Sequence, residues 1–144
     1  MPEYVTQAEV RRVCTTLKLR DWTKIETPKI SRKEAKIVLE QLDHARGKID
    51  PEQFRVGLEV ELEHGVRFKE ANVTNNHPVL TGRIVLAHLF ETRDYYMRLD
   101  ITEIEGGLFK AVAAKDIANV RKNFQKAIHA RMVLARAEAR RLQG

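Results

Sequence analysis

Apolar positions recur at helical spacing through most of the chain. Long runs contain neither glycine nor proline, so the pattern favours helix over sheet. Thr6 and Glu9 have the spacing of a capping box and open a helix to about Leu17. A polar connector, LRDWTKIETPKI, follows, with Trp22 and Ile30 as its anchors into a core. Ser31 and Glu34 form a second capping box, and the helix they open passes Val38, Leu39 and Leu42 and stops at Gly47. Asp50 caps a third helix with Pro51 in the favoured first position, and Gly65 is its natural stop.

The stretch VRFKEANVTNNHPVL is rich in turn formers and closes on His77-Pro78, which predicts a loop. From about Leu80 to Glu91 the residues are apolar nearly all round, as in a central, buried helix. Thr92 or Asp94 opens a continuation through Tyr95, Tyr96 and Leu99, and Gly106-Gly107 predicts a break. A last helix runs from near Asp116 to about Leu142. The expected fold class is all-α: a compact helical bundle with a long C-terminal helix. Residues 1–107 are its helical core and residues 108–144 an assembly element.

At 144 residues the chain can bury a core without staples. Its single cysteine, Cys14, lies among Val13, Leu17 and Leu19 and reads as a buried thiol rather than a nucleophile. No apolar run approaches the roughly 18 residues of a membrane span. The opening MPEYVTQAEV lacks a charged-then-apolar signal, so a cytoplasmic protein is expected. The net charge of +6 is uneven: residues 51–105 carry ten Asp and Glu against six Lys and Arg, residues 106–144 nine Lys and Arg against two Asp and Glu. An acidic middle and a basic tail point to charged partners.

The stretch GKIDPEQF, residues 47–54, resembles the second half of an EF-hand. Its ligand positions do not: Leu42, His44, Arg46 and Gln53 fall where calcium needs oxygens, so an EF-hand-like corner without calcium is expected. The same corner could present a DNA-reading helix, but Glu52, Glu59, Glu61 and Glu63 stand there against Arg55, and phosphate would repel them.

In LEVELEHG, residues 58–65, Glu61 and His64 are neighbours at i, i+3 close to the leucine face. His88 and Glu91 have the same spacing in reverse order on the apolar helix. An antiparallel pairing of the two helices would gather Glu61, His64, His88 and Glu91, with His77 as a fifth candidate. Two imidazoles and two carboxylates suit Zn, Fe, Mn or Ni. The same four residues could equally form a buried hydrogen-bonded network, or border the core and reach solvent. Glu59 and Glu63 read as a solvated acidic stripe, or as a docking face for a basic partner.

The strings GLEVELEHG, NVTNNHPVLTGRIVLAHLFE and DYYMRL resemble an uncharacterised family of small helical bacterial and phage proteins of unknown function, over about residues 53–104. The resemblance implies no established activity. Where that family carries acidic residues, this chain has Asn75, Asn76 and His77.

No Gly-rich phosphate loop, nucleophile elbow or cysteine zinc motif occurs. A ferritin-like oxidoreductase wants two Glu-x-x-His pairs and two more glutamates on four helices, and this chain offers one forward and one reversed pair. Nucleic-acid binding would rest on the basic tail alone. The favoured reading is a non-catalytic assembly protein, forming a homo-oligomer or docking on a larger protein complex with an acidic surface, with a transition-metal site as an added feature. Ile117, Val120, Phe124, Ile128, Met132 and Leu142 form the stripe expected to make that interface.

Overall fold

The computed structural model describes residues 5–42 and 48–144. Side chains that accept from free backbone N–H groups start most of the helices. Thr6 accepts from Glu9 N and starts α1, Gln7–Thr16. Ser31 and Glu34 close a reciprocal capping box on α2, Arg32–Glu40. Asp50 accepts from Glu52 N and Gln53 N to start α3, Pro51–Arg67. His77 caps α4, Pro78–Glu91, through its imidazole. Asp94 occupies the cap position of α5, Tyr95–Ala113, and Asp116 accepts from Asn119 N to start α6, Ile117–Leu142. Two short 3₁₀ segments, Trp22–Lys24 and Lys69–Ala71, complete an order that contains no strand among the described residues.

The chain divides into two compact units, Met1–Arg93 and Asp94–Gly144. In the first, α3 packs on α4 and α2, and α1 packs on the Trp22 segment and α4. Its core includes Val10, Cys14, Trp22, Val38, Phe54, Leu58, Leu62 and Val85, all essentially without exposure. Trp22 and Ile30 are buried and tie down the polar connector as expected. Cys14 is buried too, and burial pushes its thiol up, away from nucleophilic behaviour. The second unit is a hairpin of α5 and α6.

Several boundaries differ from the sequence pattern. α2 ends at Glu40 before Leu42 turns into the core. Gly47, expected to stop it, lies with residues 43–47 outside the described residues, and so does the turn of the EF-hand-like corner. α3 does not stop at Gly65 but continues to Arg67. A Cβ on Gly65 would lie 2.8 Å from Asn72 Nδ2, so the missing side chain makes room for the following loop. α4 is not buried on every side: Val85, Leu86 and Leu89 are inside, while Ala87 is exposed and Phe90 is 38% exposed. α5 passes through Gly106 and Gly107 without a break, because packing on α6 outweighs the weak helix preference of two glycines. The two compact units divide between Arg93 and Asp94. No helix among the described residues is long and apolar enough to cross a membrane.

Candidate functional site: the Glu61 cluster and the outer face of the hairpin

Leu58 and Leu62 are buried on α3, and Glu61 sits beside them with its side chain 16% exposed. Its two carboxylate oxygens face two imidazoles. His64 Nδ1, one turn on, is 3.9 Å from Oε2, and His88 Nε2, on α4, is 3.7 Å from Oε1. Packing of α3 on α4 thus brings His88 near Glu61, and His64 stands beside Glu61 on the same helix. Glu91 is exposed at the last position of α4, and His64 is half exposed. Glu61 lies near both imidazoles, at N···O separations longer than a hydrogen bond for these atom pairs. Among the described residues no group of three or more His, Cys, Asp or Glu is set at metal-holding geometry.

His77 has a different task. Its Nδ1 accepts from Val79 N at 3.2 Å and Leu80 N at 3.3 Å, so that nitrogen carries no proton. Burial pushes the imidazole below its ordinary value; Glu9 pulls upward, while Arg12 and Arg83 add to the fall. The residues before it make a polar knot. Asn76 is buried, donates from Nδ2 to Trp22 O at 3.1 Å, and accepts from Asn72 Nδ2 at 3.0 Å. Asn75 and Asn76 take φ of 48° and 63°, a left-handed conformation that asparagine tolerates better than most residues. The turn formers of this segment signalled a loop, but not that one asparagine would hold the connector from inside.

Glu59, paired with Glu63 in the acidic-stripe reading, is held internally. It accepts from Arg55 and from Ile30 N and lies 3.7 Å from Lys29 Nζ. Arg55 also bonds both oxygens of Glu52. Glu63 alone of that pair is exposed.

The hairpin separates its charges. Arg98 grips both oxygens of buried Asp94, at 2.9 and 3.1 Å, and also reaches Glu138 at 3.3 Å. Arg131 bonds Glu105 at 2.7 Å. The Arg98–Glu138 and Arg131–Glu105 pairs link α5 with α6. Arg121, Lys122, Lys126, Arg136 and Arg140 are exposed and make no ion pair among the described residues.

Apolar residues divide the same way. α6 buries Ala127, Ala130 and Leu134, three and four apart on one face. The expected interface stripe lies on a different face: Ile117 is 74%, Phe124 56%, Ile128 47%, Met132 48% and Leu142 90% exposed. Val120 is half-buried. The sequence reading missed the Ala-Ala-Leu seam, whose small residues look weak beside Phe124 and Met132. On α5, Phe109 and Val112 add exposed apolar surface. Tyr96 is buried, with the Tyr95 ring 5.1 Å away at 80°.

Neither a curated protein nor a solved structure matches the chain. A family model does, over two thirds of the chain and well beyond the strings around the two Glu–His pairs. With its match spanning residues 10–105, the chain belongs to the family described as Protein of unknown function (DUF5661).

Proposed function

We propose that this is a non-catalytic assembly protein that docks to another protein through the outer face of α6. The observation that carries the reading is the exposure of Phe124, Ile128 and Met132, one turn apart on a helix whose packing on α5 uses Ala127, Ala130 and Leu134 instead. Helical anchors at such spacing are the usual means by which one helix seats on another. A row of exposed apolar side chains beside exposed cations is the kind of surface that marks a contact site. The family match ends at residue 105, before α6, so this reading concerns a part of the chain that the family does not describe.

Site-specific photocrosslinking tests it. A photoreactive residue replaces Ile128 in the full-length protein within its native cells, with the exposed position Lys33 as control. A discrete protein adduct from position 128, absent from position 33, is the expected result. A smear, or equal adducts from both positions, ends the assembly reading. Removing α6 would be a poorer test, because it strips α5 of its packing partner.

The reading also includes a transition-metal ion, Zn, Fe, Mn or Ni, at Glu61, His64, His88 and Glu91, and binding it would require these side chains to move, because among the described residues no group of three or more is set to hold a metal. The support is one carboxylate between two imidazoles, one of each helix. Elemental analysis of protein never exposed to nickel resin tests this part separately. About one ion per chain, lost in His88→Ala, supports it; less than about a tenth removes it.

A further inference from the structure

From the charges around the stripe we infer that the occupant of the α6 outer face is an amphipathic helix of another protein, with its apolar residues bordered by Asp and Glu. The inference rests on the assembly reading and names the partner's chemistry. Residues 117–142 contain seven Lys and Arg and one acidic residue, Glu138, which is already paired with Arg98. Two copies of this helix laid side by side would bring like charges together, which costs each contact of that kind. A second copy of α6 is therefore a poor occupant.

The free cations are placed to receive carboxylates. Arg121 precedes Phe124 by three residues and Arg136 follows Met132 by four, so each shares the helical side of its apolar neighbour. Lys122 and Lys126 stand two residues from Phe124 and Ile128 and face away from the stripe, while Arg136 and Arg140, one turn apart, carry charge past its Met132 end. A visiting helix would bury its apolar row on Phe124, Ile128 and Met132, and its bordering carboxylates would meet Arg121 and Arg136. Duplex nucleic acid would satisfy the cations but leave the aromatic and aliphatic groups facing water, so it fits half of the surface. The stripe spans Phe124 to Met132, two turns and about 12 Å, and the whole of α6 about 39 Å, room for several turns of a partner.

The test uses full-length protein and labelled synthetic helices of about 20 residues, read by fluorescence anisotropy. One peptide has a leucine face bordered by Glu. A second has the same face bordered by Lys. A third has the first peptide's composition, reordered so that the leucines share no face. A DNA duplex of matching charge is the fourth probe. The Glu-bordered peptide is expected to bind at least about tenfold more tightly than the other two peptides and the duplex. Its binding should fall at least about tenfold in Phe124→Ser/Ile128→Ser/Met132→Ser, and also in Arg121→Glu/Arg136→Glu, with thermal midpoints unchanged because all five side chains face solvent.

Equal binding of the reordered peptide would mean charge alone, and would overturn the inference. Tighter binding of the duplex would overturn it in favour of nucleic acid. Self-association of the wild type that the triple serine variant abolishes would put a second copy on the face. In that last case the adduct at position 128 persists, so the assembly reading stands while this inference fails. Absence of the adduct fails the assembly reading itself.

Discussion

Arg141, in the last turn of α6, donates to Asp94 Oδ2 at 3.1 Å, joining the last turn of the hairpin to the residue that opens it. Arg98 holds the same carboxylate, which is only 3% exposed. Replacing Asp94 by Ala leaves two guanidiniums facing an apolar methyl and removes every bond at once. The expected cost is on the order of 2 kcal/mol, below the range for fully buried pairs because both arginines are about half exposed. Hydrogen exchange checks it: amides of α5 and α6 should lose protection, and those of α3 should not.

Asn76 supplies a second measurable knot. Asn76→Ala removes its bond to Trp22 O and also places a Cβ without a local hydrogen bond at φ 63°. Asn76→Gly removes the bond but relieves the backbone. Urea denaturation should show both variants destabilised, the alanine by about 1 kcal/mol more than the glycine. Equal losses would mean that the left-handed backbone carries no cost here.

Gly65→Ala should reverse the usual sign. In the interior of a helix this change normally adds about 1 kcal/mol of stability. Here the new Cβ meets Asn72 Nδ2 at 2.8 Å and Asn76 Oδ1 at 3.1 Å, and it must push the Asn72–Asn76 bond apart. A lower melting temperature is expected, with an altered amide resonance for Asn72 Nδ2.

His77 should make stability depend on pH. Burial holds its folded-state value below the unfolded one, so the unfolded chain binds the proton more readily. The contribution is complete above the ordinary histidine range. It is lost as pH falls from there toward the lowered folded value, because a proton on Nδ1 expels the N–H groups of Val79 and Leu80. Thermal melts at neutral and mildly acidic pH should diverge for wild type. His77→Asp, which caps without titrating there, should flatten that part of the profile.

The helices were legible where a capping residue faces its own chain. Ser31, Asp50 and Asp116 each bond a backbone N–H two or three residues on, so spacing alone identifies them. Gly65 and Gly106-Gly107 misled because a glycine reads as punctuation, whereas these sit in helices fixed by packing and by a neighbouring loop. The meeting of Glu61 with His88 was legible because i, i+3 pairs on two adjacent helices can find each other. The Asn76–Trp22 bond spans 54 residues, and no local spacing encodes it. The apolar row from Ile117 to Leu142 was visible as a period. Which of α6's two apolar faces would meet α5 depended on side-chain size across the seam, and the period does not carry that.

The hairpin's separation of paired from unpaired charge also has a kinetic meaning. Cations paired with Asp94, Glu105 and Glu138 contribute little net field at a distance, while Arg121, Lys122, Lys126, Arg136 and Arg140 add up to a positive potential around α6. Their combined potential reaches about a Debye length, some 8 Å at physiological salt, and turns an anionic visitor toward α6 before any atoms touch. Added salt would then slow arrival far more than it hastens departure, since departure is governed by the apolar anchors. How often an encounter is productive and how long it lasts would thus be set by two different groups of side chains on one helix, free to change independently.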